Sequence, residues 1–224
     1  MSSPTSIAER IQQFHSILPN GVKLVAVSKF HPASAVKEAY EAGQRMFGES
    51  RVQEFLEKEK SLPKDIKWHF IGHLQTNKVK SIIVKVSLIE SIDSIRLIEI
   101  VNKESYKASV RTDVLMQVHV AEEETKFGFL PEELLTFFDN KKYLSYGNVC
   151  IKGIMGMASN TNDSVRVRND FLNIVSIYEE IKKIATDLDG FETISMGMSG
   201  DWPIAVEEGA NMIRIGSAIF GSRY

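Results

Sequence analysis

The sequence predicts an α/β protein built as a single (β/α)8 barrel of the TIM type, with an extra helix ahead of the first strand. Three observations carry this. Eight short apolar runs alternate with helix-like amphipathic stretches. Several of the runs are nearly continuous in apolar residues, as strands buried on both faces are. The 224 residues suffice for one such barrel, and no repeat, low-complexity tract or linker divides them. The expected organisation is therefore one domain over residues 1–224. A doubly wound open sheet shares the alternation and is the alternative, because closure is not written in a sequence.

The elements follow in order. Ile7, Ile11, Phe14 and Leu18 share one face of a helix before the first strand. The first strand is 22–27 (VKLVAV). Pro32 and Ser34 open a helix with Val36, Ala39 and Tyr40 on one face and Gly43 as its stop. A strand at 45–47 leads to a helix carrying Val52, Phe55 and Leu56. The third strand is 67–71 and the fourth 86–89, followed by a helix that the Asp93 carboxylate is placed to cap. The fifth strand is 113–118, and Pro131 begins a helix with Leu134, Leu135 and Phe138. A sixth strand lies within 149–155. The longest helical pattern, 162–188, repeats Phe171, Ile174, Tyr178, Ile181 and Ile184 at helical spacing. Strands seven and eight are 193–196 and 212–215. Only a short segment follows, so the last helix must be brief, and the N-terminal helix is placed to cover that gap.

Composition bounds the function. Lys plus Arg is 27 and Asp plus Glu 29, a formal net charge of −2, which argues against a nucleic-acid binder working by excess basic charge. No apolar run reaches the roughly 18 residues of a membrane-spanning helix. The start, MSSPTSIAER, lacks the apolar core of a signal peptide. The lone cysteine, Cys150, cannot form an intrachain disulfide, which suits a reducing compartment. The expectation is a cytoplasmic protein, with Cys150 in the core and 122–126 (EEETK) as a solvated loop face.

Barrels of this type carry their chemistry at the C-terminal ends of the strands. Strand one runs into Ser28, Lys29, Phe30 and His31, which puts a lysine at the mouth. A Schiff-base lysine there needs partial desolvation or a neighbouring cation; the alternative is a solvated lysine in a turn. The loops after strands seven and eight, 195–201 (SMGMSGD) and 214–217 (RIGS), combine glycines with hydroxyls where such barrels bind phosphate. Arg214 lies in an apolar strand and needs a partner. Either Asp201 or Glu207 pairs with it, or it reaches into the mouth to meet a ligand. His69 and His73 sit roughly 13 Å apart if both are on a strand, too far to share a metal ion. No metal is expected, and His69 reads as a hydrogen-bonded histidine at the barrel rim. Met155, Met157, Met196 and Met198 read as packing at the mouth.

The stretches AVSKFHP (26–32), FGESRVQE (47–54), WHFIGHLQTNK (68–78), SMGMSGDW (195–202) and RIGSAIFG (214–221) together carry a family resemblance. The sequence resembles the pyridoxal phosphate homeostasis proteins, lone (β/α)8 barrels similar to the N-terminal domain of alanine racemase. The resemblance implies that Lys29 forms an internal aldimine with pyridoxal 5'-phosphate (PLP). It implies that Ser199, Gly216 and Ser217 hold the phosphate with help from the Met198 amide, and that Arg214 faces the pyridine nitrogen. His69 belongs to the motif without an assigned chemical role. Two positions depart from the family pattern: Ser50 stands for an asparagine and Ser217 for a threonine. Ser217 keeps the hydroxyl; Ser50 loses an amide.

The implied function is PLP binding in intracellular vitamin B6 homeostasis, with little or no catalytic turnover. An arginine at the ring nitrogen donates a hydrogen bond and accepts no proton, which weakens the ring as an electron sink. Racemisation also needs acid/base groups on both faces of the substrate carbon. In alanine racemase the second is a tyrosine from another domain and subunit, for which a single barrel ending at Tyr224 leaves no room. The implied partners are PLP and PLP-dependent apoenzymes as recipients, with a monomeric state and neither nucleic acid nor membrane involved. The alternative is a small PLP-dependent amino-acid racemase using Tyr224 or His31. A PLP-free Schiff-base barrel and a PLP-regulated interaction module are further readings.

Overall fold

The computed structural model describes residues 6–121 and 127–221. Eight parallel strands close on themselves in chain order: β1 (Lys23–Val27), β2 (Met46–Glu49), β3 (Lys67–Phe70), β4 (Leu88–Ile92), β5 (Thr112–Gln117), β6 (Val149–Met155), β7 (Thr193–Ser195) and β8 (Met212–Ile215). The closing seam pairs β1 with β8, Val25 opposite Arg214 and Ala26 opposite Ile215. Closure decides for the barrel over the open sheet.

Side-chain alternation sorts the core into two layers. Leu24, Ala26, Phe47, Trp68, Phe70, Ile89, Val114, Ile154, Ile194, Ile213 and Ile215 join the large cluster between strands and helices. Their neighbours Val25, Leu88, Leu115, Met155 and Met212 form a separate cluster inside the barrel. The interior also holds buried polar groups, among them His69, Glu90, Ser195 and Arg214. These explain why the fourth strand lies at Leu88–Ile92 and not at 86–89. Inward-facing Glu90 interrupts the apolar run that the sequence pattern relies on.

The helices are α1 (Ile7–Ile17), α2 (Ala33–Glu41), α3 (Val52–Ser61), α4 (Val79–Ile82), α5 (Ile95–Lys107), α6 (Pro131–Asp139), α7 (Ser164–Ile184), α8 (Trp202–Glu207) and α9 (Ser217–Phe220). The short α4, entered through a 3-10 turn at Thr76–Lys78, has no counterpart in the sequence reading. Ser94, not Asp93, caps α5 by accepting from the Leu97 amide at 3.3 Å. The Asp93 carboxylate is instead 2.7 Å from His73 Nδ1. The extra helix α1 starts in a capping box in which Ser6 and Glu9 satisfy each other's amides. It covers the gap beside the four-residue α9, where Arg10 donates to the Ile219 carbonyl at 2.8 Å. Cys150 is half-buried and not in the core, because the first residues of β6 alternate in exposure. Among the described residues, no helix is long and apolar enough to cross a membrane. The expected loop at 122–126 lies outside the described residues.

Candidate functional site

At the C-terminal ends of the strands is a cavity of about 270 Å³. Its wall contains Lys29, Arg214, Met198, Ser199, Gly216 and Ser217, the six residues expected to hold the cofactor, with Ser50 and His31 beside them. Val27, Ile71, Met155 and Met157 supply apolar surface. Met155, Met157 and Met198 are thus mouth residues, whereas Met196 belongs to the outer layer.

Lys29 leaves β1 on a braced turn. Ser28 is fully buried, and the next residue but one, Phe30, has φ of 68°. A left-handed backbone at a phenylalanine is strained and needs fixing. The Phe30 amide donates to Glu54 Oε1 at 2.6 Å, and His31 N bonds back to the Ser28 carbonyl at 3.0 Å. Beneath the turn, buried Lys58 on α3 donates to the Ser28 carbonyl (2.8 Å), Glu49 Oε1 (2.6 Å) and Glu54 Oε1 (2.7 Å). The Ser28 hydroxyl also donates to Glu49 Oε1 at 2.7 Å. Burial pushes the Glu49 carboxyl up from its ordinary value, against the pull of Lys58 and Ser28. Lys29, half-buried, therefore projects from a turn held by an ionic network.

The opposite end is rich in donors. The amides of Gly216 and Ala218 both point at the Ser199 hydroxyl oxygen, each at 3.3 Å. A Cβ on Gly200 would meet nothing within 4 Å, so its backbone is open to an approaching group. Gly197 has φ of +94°, and a Cβ there would lie 2.6 Å from Ala205 Cβ, so the loop requires glycine at this position. The Met198 amide, expected to help with the phosphate, donates instead to Asp201 Oδ1 at 2.5 Å, while the residue still lines the cavity.

Arg214 forms part of the wall and is 4% exposed. It donates to Ser195 Oγ at 2.6 Å and to the Gly156 carbonyl at 2.9 Å. Its carboxylate neighbour is Glu90, 3.8 Å away inside the barrel. Glu207, one of the two partners considered from the sequence, is taken by Arg168 at 2.6 Å. Asp201, the other, acts on Arg214 only through its charge. The two sequence alternatives thus combine: Arg214 is ion-paired and also lines the mouth. Burial holds its pKa below the ordinary arginine value, opposed by the charges of Glu90 and Asp201. Burial would raise Glu90, but the His69 hydrogen bond, the His69 and Arg214 charges and the Ser195 hydroxyl outweigh it and hold the carboxyl below its ordinary value.

His69 is not at the rim. It is 5% exposed inside the barrel, with Nδ1 2.6 Å from Glu90 Oε1, and lines a different cavity at the strands' N-terminal ends. His73 stacks on Phe127 with ring centroids 3.9 Å apart. Among the described residues no group of three potential ligands surrounds a metal site. His31 stacks on Phe220, centroids 5.2 Å apart; Tyr224, the other candidate base, lies outside the described residues. Sequence reasoning missed Glu49, Lys58 and Glu90. The signal for Glu90 was available: a charge inside an apolar strand, the same logic that marked Arg214.

An amine, a fixed cationic donor and a cluster of hydroxyls and amides thus share one small, partly apolar cavity. That donor set fits a flat phosphorylated aldehyde: amine for the carbonyl, amides and hydroxyls for the phosphate, apolar walls for the ring. The family model described as the N-terminal domain of alanine racemase matches residues 3–224. A pyridoxal phosphate homeostasis protein of Aquifex aeolicus is 38% identical over 97% of this chain and 95% of its own length. A Homo sapiens protein of the same name is 39% identical over 97% of this chain and 84% of its own. PipY of Synechococcus elongatus, solved with PLP bound, superposes with a TM-score of 0.88 at 36% identity, covering 96% of this chain and 100% of PipY. The family match and these relatives, at 36–39% identity over most of both chains, place the chain in the alanine racemase N-terminal domain family, among the pyridoxal phosphate homeostasis proteins.

Proposed function

We propose that the protein binds PLP in the mouth cavity and serves intracellular PLP homeostasis as a carrier with little or no turnover. The observation that carries this is the convergence of Lys29, Arg214 and the Ser199–Gly216–Ser217 cluster on one cavity about the size of a single cofactor. When bound, PLP supplies an aldehyde that condenses with amines and a ring that withdraws electrons. Lys29 offers the amine from its braced turn. Ser199 and Ser217 hydroxyls and the Gly216 amide hold the phosphate. Arg214 donates to the ring nitrogen and, having no acceptor, leaves it unprotonated. Arg214 thereby favours holding the cofactor over driving carbanion chemistry. The reading extends to a monomer in the cytoplasm that yields its PLP to PLP-dependent apoenzymes.

The test is to load the protein with PLP, reduce with borohydride and map the modified peptide by mass. The adduct is expected on Lys29. An adduct on another lysine, or none, would overturn the site. Lys29→Ala should lose the visible absorbance of bound PLP and keep the wild-type circular dichroism. The racemase reading predicts exchange of amino-acid α-protons in deuterated water. Racemase turnover of about 1 s⁻¹ or more would replace the carrier reading with it.

A further inference from the structure

We infer that Glu90 and His69 are positioning residues for Arg214, fixing the guanidinium's hydrogen bonds at the cofactor cavity from a second cavity at the far end of the barrel. The inference rests on the PLP reading above, which gives Arg214 its task. The groups form one buried chain. His69 Nδ1 meets Glu90 Oε1 at 2.6 Å, Ser195 Oγ donates to Glu90 Oε2 at 2.6 Å, and Arg214 Nη1 donates to Ser195 Oγ at 2.6 Å. His69, Glu90 and Arg214 are 5%, 0% and 4% exposed, so water does not substitute for these contacts. A serine hydroxyl has one proton. Because the ionised Glu90 takes it, the Ser195 lone pairs are turned toward Arg214, and the guanidinium has one preferred orientation. A neutral acid or an amide at position 90 could reverse the Ser195 hydroxyl, setting its proton against the arginine's. The charge state of Glu90 thus sets the polarity of the chain.

His69 connects the chain to solvent conditions. Its ring lines the lower cavity of about 620 Å³, at the N-terminal ends of the strands. The charged groups facing it are Glu90 and, across the lower cavity, Lys23, Lys67, Lys152, Asp113 and Glu192; Arg214 lies beyond Glu90. With Nδ1 donating to the carboxylate, a second proton on the ring would sit at Nε2. The cation that results competes with Ser195 and Arg214 for Glu90. Protonation at the lower end should therefore be felt as a change in how Arg214 meets the ring.

The experiment uses the full chain, as wild type, His69→Gln, Glu90→Gln and Arg214→Gln, with folding checked by circular dichroism. The first measurement is the imidazole NMR titration of His69 without ligand. Glu90→Gln should lower its midpoint by about one unit or more, the size of a lost ion-pair partner. Arg214→Gln should raise it, because a neighbouring cation is removed. The second is the absorbance of the PLP-loaded protein across pH 5.5 to 9. Wild type should show a transition that follows the His69 titration and that His69→Gln abolishes. Glu90→Gln should weaken PLP binding about ten- to a hundredfold, as for a lost charge-assisted hydrogen bond, with partial rescue by Glu90→Asp. A folded His69→Gln protein with the wild-type spectral pH profile would overturn the inference. If wild type takes up no PLP, the binding reading falls. The ligand-free titration then decides the chain: a His69 midpoint unmoved by Glu90→Gln and Arg214→Gln would refute it.

Discussion

A single carboxylate shows what the turn carrying Lys29 costs. Glu49 is completely buried; one oxygen takes Lys58 and Ser28, and the other has no partner among the described residues. Its carboxyl titrates higher folded than in its ordinary state near 4.5, burial being the main cause. A group shifted that way contributes stability below its unfolded pKa and loses it as pH rises through the folded one. Lys58→Met removes the compensating cation and pushes the folded value higher still. The variant should lose about 3–5 kcal/mol at pH 7.5 and clearly less at pH 5, where the carboxyl can take a proton. Urea unfolding at both values checks this, and equal losses would mean that Lys58 acts by packing alone. Glu90 has the opposite sign. Its folded pKa is depressed, so its contribution holds above the unfolded value and goes as pH falls through the folded one. Neither carboxylate stood out in the sequence as Lys29 and Arg214 did. Glu49 closes β2 and reads as the start of a loop, whereas Glu90 lies mid-strand and carries the same signal as Arg214, hidden because the apolar run before it reads as the whole strand.

At the scale of elements, the strands were readable wherever both faces are apolar and blurred where the interior turns polar. β8 (Met212–Ile215) coincides with its expected span, because its one interior charge is flanked by isoleucines. β4 was displaced by Glu90 and Ser91, and α4 is too short for a helical period to show. The N-terminal helix was legible from Ile7, Ile11, Phe14 and Leu18, but its service to the site was not. Phe14 meets Trp202 of α8 edge-on at 5.8 Å, and Arg10 holds the last turn of α9. α1 therefore backs both short helices that follow the Ser199 and Ser217 loops. Phe14→Ala should destabilise the fold by about 3–5 kcal/mol and also raise the Kd for PLP, measured by fluorescence titration well below the unfolding temperature. Lost stability with an unchanged Kd would confine α1 to packing.

Across the whole molecule, the barrel separates the cofactor cavity from a lysine-bearing lower cavity and joins them through a chain of polar groups set among its interior apolar residues, while the outer hydrophobic layer carries the fold. A ligand seated at the mouth touches loops from β1, β2, β7 and β8, including both sides of the β1–β8 seam. Binding should therefore tie the closure of the barrel to the ligand and appear as global stabilisation. At a free PLP concentration of about 100 times Kd, linkage gives about 2.7 kcal/mol. For a chain of this length that corresponds to a rise in Tm of about 5–11 °C. Lys29→Ala should lose most of this shift, because the remaining contacts are those of the phosphate and the ring. Inorganic phosphate should engage the Ser199, Gly216 and Ser217 end alone, giving a smaller rise that is the same in wild type and Lys29→Ala. Differential scanning calorimetry separates the cases. A phosphate response lost together with the PLP response in Lys29→Ala would show that the substitution disorganises the cavity. A phosphate response retained while the PLP response falls would assign Lys29 to the aldehyde end and the serine loops to the phosphate.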